Sequence, residues 1–366
     1  MGCGSTKPKI RNGQTDTYSP LPSDGDDSNG STFSDDEIGD DTDIFSEPQK
    51  FQARSDNPYV YEKLGQSSIR LLHIRAGDFS DELVCELVQE DINQFPVYDA
   101  ISYTWADDSG DRSCTKSILL SGQIFKVTTS CHLALQRARL HDTLTVWIDA
   151  VCINQTDNAE RSHQVQLMAR IYARARRVLV YIGEEDNRSS SLILQLGEGK
   201  LEPWNFAEVT ALLARPYFWR VWVLQEIALA KSAILLCGDV SIPWQDFARL
   251  VQELPSFTEM ALRINGIPLA LSFVVRALRG VEELPRLLDL SSFCEATEPR
   301  DKVYALLGLA TGTEGYGFFP DYDADLETVY TRTAMLTATS CGVMALLSRA
   351  VCRRTVSPSL PWVPDW

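Results

Sequence analysis

Short apolar runs alternate with stretches of helical period from Ile69 to about Trp244. Ile69 to Ile74 and Glu82 to Val88 have the composition of strands, and Val97 to Tyr103 is a further apolar stretch. Ser117 to Val127 predicts a hairpin turning at Ser121-Gly122. Thr129 to Arg139 then reads as a helix, Thr143 to Ile148 as a strand, Ala159 to Ala175 as a long amphipathic helix and Val178 to Ile182 as another strand. Alternation of this kind predicts an α/β fold, a mostly parallel sheet flanked by helices with a hairpin insertion. Tyr217 to Ala230 predicts the next helix, and a strand pair around Ala233 to Ile242 turns at Gly238-Asp239. Beyond Trp244 the pattern is helical and less regular, with Thr297 ahead of Pro299 as a cap-then-proline helix start.

This organisation divides the chain into a tether at 1–60, an α/β domain at 61–250 and a mainly helical C-terminal part at 251–366. From Thr15 to Asp56 the chain is dominated by Asp, Ser, Gly, Pro and Thr, too little apolar surface to offset the entropy of ordering. The remainder is long enough, in a chain of 366 residues with 44% apolar content, to bury a sizeable core.

The formal charge of -16 repels phosphate backbones, which argues against a nucleic-acid partner. Arg170, Arg174 and Arg177 recur at helical spacing opposite Val165, Met168 and Tyr172, which predicts a solvated helix face. Nine cysteines without a C-x-x-C pair, and no secretory leader, point to a reducing compartment without structural zinc. Arg215, Arg220, Glu226 and Lys231 interrupt the longest apolar candidate for a membrane span. The first residues carry a different signal. Met1-Gly2-Cys3-Gly4-Ser5-Thr6 fits the pattern for N-myristoylation of Gly2, with Cys3 placed for a second acyl chain and Lys7, Lys9 and Arg11 for contact with anionic lipid. The expectation is a cytoplasmic protein held peripherally at a membrane.

Polar residues interrupt the predicted core in two places. Asp149 falls where the Thr143 to Ile148 strand ends, the position at which open α/β sheets hold ligands. It serves there either as a ligand group or as the cap of the following turn. Tyr103 and Trp105 follow their own strand in the same way, as ligand-facing aromatics or as loop packing. On the Tyr217 to Ala230 helix, Trp219, Trp222, Val223, Glu226 and Ala230 share one apolar stripe. A carboxylate in that stripe either pairs with a cation such as Arg220 or a backbone donor, or it faces a pocket. Cys152 has no nearby histidine, and His73, His132, His141 and His163 show no ligand spacing, so no metal site and no resident cofactor are expected.

Taken in order, Tyr98 to Trp105, Val146 to Gln155, the Glu160-Arg161 helix, Arg220 to Glu226, Pro299 to Leu309 and Leu360 to Trp366 resemble the fungal heterokaryon-incompatibility (HET) domain family. Ala106 departs from it, since the family usually has Gly after the tryptophan. Members also commonly continue past the Pro364-Asp365-Trp366 segment, so the resemblance implies a short form or a piece of a longer product. It further implies a TIR-like or flavodoxin-like sheet and a role in non-self recognition and programmed cell death. The expected partners are a second copy or another incompatibility protein. By the same resemblance Trp222-Val223-Leu224-Gln225-Glu226 is similar to the Trp-x-x-x-Glu helix of NAD-cleaving TIR enzymes. That makes Glu226 the implied catalytic residue, Tyr103, Trp105, Asp149 and Arg220 the implied ligand-binding set, and NAD a possible substrate.

Overall fold

The computed structural model describes residues 59–107, 109–140, 144–185, 187–198, 206–253, 282–311, 317–352, 356 and 360–366. The tether and the acylation signal at Gly2 and Cys3 lie outside the described residues, as does much of the start of the predicted C-terminal part.

Nine strands form one mixed sheet. In chain order they are β1 (Ser68–Ile74), β2 (Val84–Asp91), β3 (Asp99–Ser102), β4 (Lys116–Leu120), β5 (Gln123–Val127), β6 (Thr145–Trp147), β7 (Val178–Tyr181), β8 (Ala233–Cys237) and β9 (Val240–Pro243). Their order across the sheet is β5-β4-β2-β1-β6-β3-β7-β8-β9. β6, β3, β7 and β8 are parallel neighbours, and β1 and β9 pair antiparallel on either side of them. All four residues of β3 and all four of β7 are buried; β7 reads accordingly as an unbroken apolar run, whereas β3 buries Asp99 and Ser102 at its two ends. The hairpin β4–β5 turns through Ser121 at φ 48° and Gly122 at φ 79°, the two left-handed residues that a tight hairpin turn requires.

Helices α1 (Thr129–Arg139), α2 (Asp149–Cys152), α3 (Asn158–Arg174), α4 (Asn187–Gly197) and α5 (Phe206–Leu213) follow the strands. The Thr128 hydroxyl caps α1 by accepting from Cys131 N, and the Asp157 carboxylate caps α3 by accepting from Ala159 N and Glu160 N. Tyr172 on α3 meets Trp147 of β6 edge to face with ring centroids 5.6 Å apart, joining helix to sheet at the centre of the core.

Two expectations need correction. The helix predicted over Tyr217 to Ala230 is broken into a 3-10 turn, Pro216–Trp219, and α6 (Trp222–Ala228). Between them Arg220 is extended at φ -71° and ψ 132°. The cause is tertiary: Val221 N donates to Glu295 O at 3.0 Å and Glu295 N donates to Trp219 O, so a later segment captures the backbone groups a continuous helix would use. Secondly, Thr297 does not cap the helix that follows it, because its hydroxyl accepts from Arg112 and the helix starts at Asp301. The arginines of the α3 region lie on the outer side, as their spacing predicts, with Arg170 and Arg176 exposed and Arg174 and Arg177 half-buried, and each is hydrogen-bonded as well. Arg170 donates to Asn93 at 2.6 Å, Arg174 donates to the Ile92 carbonyl, and Arg176 and Arg177 both donate to Asp99 at 2.8 Å.

After α7 (Trp244–Glu253) the described chain resumes at Glu282; the Asp301–Leu307 helix packs against α6, and the segment at Tyr322 meets α3. Asp301 is half-buried there, accepting from Trp222 Nε1 at 3.0 Å and from the Tyr322 hydroxyl at 2.6 Å. The Arg161 guanidinium lies 3.4 Å above the Tyr322 ring, while Arg300 pairs with Glu298 at 2.9 Å. Gly308 ends the Asp301–Leu307 helix in tight quarters. A Cβ there would stand 2.3 Å from Gln225 Oε1 and 2.6 Å from Ala169 Cβ, so the close approach requires glycine.

Candidate functional site

The carboxyl ends of β3 and β6 are neighbours, and the chain leaves both through polar residues. Asp149, two residues past β6, opens α2. Its Oδ1 accepts from Ala150 N at 2.8 Å and its Oδ2 from Trp105 Nε1 at 2.9 Å. One carboxylate therefore caps its own turn and fixes the indole beyond β3, so capping and aromatic contact coexist. Gln155 Nε2 donates to the Asp149 carbonyl at 2.9 Å.

That turn is held from behind by an ion pair the sequence reading passed over. Arg70, buried in β1, meets Glu160 through Nη1–Oε1 at 2.6 Å and Nη2–Oε2 at 2.9 Å. Nη1 also donates to the Cys152 carbonyl at 3.1 Å, and Glu160 Oε1 accepts from Asn154 N at 2.7 Å. A bidentate pair of this kind fixes geometry as well as charge. The signal was visible as a single cation inside the apolar run Ile69-Arg70-Leu71-Leu72.

Glu226 on α6 is 2% exposed. Its Oε2 accepts from Ser102 Oγ at the last position of β3, and the Tyr217 hydroxyl lies 2.7 Å from that same Ser102 oxygen. Because a serine hydroxyl has one proton, the ionised carboxylate orders the chain: Tyr217 donates to Ser102, which donates to Glu226. The break at Arg220 brings its guanidinium into this corner, where it donates to the Tyr103 carbonyl. Burial pushes the Glu226 carboxyl up to about 7, with the positive charge of Arg220 and the Ser102 bond opposing the rise and the nearby Asp149 adding to it. Burial likewise raises Asp149, against Arg220 and the Trp105 bond. The Tyr103 hydroxyl is buried beside Cys131 and Asp149 without a well-formed hydrogen bond.

Tyr103, Trp105, Asp149, Arg220 and Glu226, selected from sequence on separate segments, thus share one electrostatic neighbourhood at the end of the sheet. Ser102 and Tyr217, which wire Glu226 outward, were missed as functional residues. Their only signal was a hydroxyl at the end of an apolar strand and a phenol among apolar helix residues. Beside them is a cavity of about 50 Å³ lined by Thr104, Ala106, Ser130, Tyr181, Gly183 and Tyr217, among others. Glu226 does not line it and reaches it only through Ser102 and Tyr217.

Burial pushes the Cys152 thiol up to about 12, which leaves no thiolate for nucleophilic attack. Among the described residues no group of His, Cys, Asp and Glu is arranged to hold a metal ion.

The sequence model described as "Heterokaryon incompatibility protein (HET)" matches residues 98–226. That span starts at the residue before β3 and ends at Glu226, and it contains every residue of the polar corner. The chain is also 27% identical, over an alignment of 413 positions, to heterokaryon incompatibility protein 6, OR allele, of Neurospora crassa. The alignment covers 85% of this chain, which spans about 60% of the length of that relative. No solved structure matches.

Proposed function

Residues 98–226 match the heterokaryon incompatibility domain family, and from that match we propose that the chain is a signalling module of fungal non-self recognition whose assembly at a membrane triggers regulated cell death. The observation that carries this reading is the convergence of Ser102, Tyr103, Asp149, Arg220 and Glu226, all within the matched span, on one buried polar corner. A core that holds two carboxylates at raised pKa values stores a conformational preference, and a change of partner or assembly state can release it. The partner is a second copy or another incompatibility protein. Acyl chains on Gly2 and Cys3 would concentrate the module on a bilayer, where two chains hold stably and one does not.

The test is expression of the full chain in a filamentous fungus, scoring viability after fusion with strains that differ at incompatibility loci. Death that depends on the partner strain and is lost in Glu226→Gln with folding intact supports the reading. Equal viability in every pairing ends it. For the anchor, Gly2→Ala moves the protein from the membrane to the soluble fraction, and an unchanged membrane share ends that part.

A second reading has its own observation. Glu226 is held near neutrality and linked by two hydroxyls to a cavity at the sheet end, a position from which one carboxylate can stabilise an oxocarbenium-like ribose. In this reading the domain cleaves NAD. The cavity is smaller than a dinucleotide, so catalysis requires the corner to open on assembly. Release of nicotinamide from NAD by concentrated protein, absent in Glu226→Gln, is the expected result; no release sets this reading aside.

A further inference from the structure

The opposite end of the same strands carries a surface that none of this uses. At the amino ends of β3, β7 and β8, the segment Asn93-Gln94-Phe95-Pro96-Val97 projects two large apolar side chains, Phe95 at 72% and Val97 at 73% exposure. Phe95 adopts the left-handed conformation at φ 57° and ψ 50°, a strained setting for a bulky aromatic residue. The ring is held in place by Arg174, whose guanidinium carbon lies 4.6 Å from the ring centroid. Around it stand Arg170 and Arg176, both exposed, with Arg177, and Lys231, whose Nζ donates to the Arg174 carbonyl at 3.2 Å. The carboxylates in contact with this cluster are Asp91, beside Arg170, and Asp99, which Arg176 and Arg177 neutralise. On a chain of net charge -16 this is a local excess of cations ringing exposed apolar groups.

We propose that this face docks on the headgroup region of an anionic bilayer, Phe95 and Val97 entering the interface and Arg170, Arg174, Arg176 and Lys231 meeting the lipid phosphates and carboxylates. An aromatic tip ringed by arginines suits that boundary, because the apolar groups need a non-aqueous neighbour and the cations need anions at the same depth. A nucleic acid would meet the charge but not the apolar tip, and the acidic remainder of the chain would repel it. The inference rests on the membrane reading above and adds an orientation to it. With the amino ends of the strands on the lipid, the Glu226 corner and its cavity at the carboxyl ends face away, open to a partner in solution.

The experiment is co-sedimentation of the full-length chain, made without acylation, with vesicles of phosphatidylcholine alone and of phosphatidylcholine mixed with phosphatidylserine. The expected result is binding to the mixed vesicles only, weakening as salt rises. Arg170→Gln and Lys231→Gln each lower the partition roughly fivefold. Phe95→Gly abolishes the retained fraction while its thermal unfolding stays at or above that of the parent. A variant with Lys7, Lys9 and Arg11 all changed to Gln keeps the binding that depends on Phe95. Binding carried entirely by those three residues, binding indifferent to Phe95 and Arg170, or no binding at all overturns the proposal. Fractionation of Gly2→Ala in cells reads the acyl anchor separately, so failure of one is not mistaken for failure of the other.

Discussion

β3 has a buried acidic partner at each end, and the two are solved in opposite ways. At the amino end Asp99, fully buried, takes three hydrogen bonds of 2.8 Å from Arg176 and Arg177. At the carboxyl end Glu226 is almost as buried but has a hydroxyl for a donor, and Arg220 donates to the Tyr103 carbonyl. Asp99 is a satisfied ion cluster, the kind that fixes where a strand begins. Glu226 is a carboxylate held close to its neutral form. Burial alone does not separate structure from function on this sheet; direct charge pairing does.

The comparison breaks first at its satisfied end. Replacing Arg176 and Arg177 together by Ala strips Asp99 of those bonds and leaves a buried carboxylate undercompensated, at a cost of about 3–5 kcal/mol. Urea unfolding of the double variant measures it; a loss below about 1 kcal/mol would mean that water already serves Asp99.

Glu226→Gln has the next largest effect and the opposite sign. The folded-state value of about 7 lies above the ordinary 4.5, so the carboxyl is protonated in both states at low pH and imposes no penalty there. Between about 4.5 and 7 the unfolded chain has released this proton while the folded chain still holds it, so stability falls as pH rises, by about 3 kcal/mol in all, and the loss is complete once pH passes the folded value. The amide cannot ionise, so the variant is expected to lose this decline and to be more stable than the parent on the alkaline side. Unfolding midpoints measured across that range check it, and parallel curves for the two proteins would refute it.

Ser102→Ala sharpens the same point. It removes the bond that favours the ionised form of Glu226, so the decline still starts near the ordinary value but extends to higher pH, at a cost of about 1 kcal/mol in stability. The pH at which the stability curve levels off is the measurement. Smallest of all is Phe95→Gly at the amino-end surface. Relief of the left-handed backbone contributes about 1 kcal/mol, of which loss of the contact with Arg174 removes about half, a net gain that a thermal melt resolves.

Periodicity placed the strands within about three residues and the helices α1 and α3 within one, because each of those segments is set by its own alternation of apolar and polar positions. It failed at Arg220, where nothing local announces a break. The helix yields there because Glu295, far along the chain, supplies a better partner for Val221 N. For the arginines near α3 spacing predicted the wet face correctly, and only the fold showed that Asn93, Ile92 and Asp99 bind them there.

The chain by itself determined the α/β alternation, the hairpin turn at Ser121-Gly122, and the set of out-of-place polar residues that marks the corner, since each is written in neighbours a few positions apart. Only the tertiary structure decided that Glu226 would meet Ser102 rather than Arg220, that Arg70 and Glu160 would clamp the turn after β6, and that a cation-ringed phenylalanine would stand at the far end of the same strands. Those outcomes depend on which groups a low-dielectric core leaves within hydrogen-bonding reach of one another, and that is a property of distances through space that no spacing along the chain encodes.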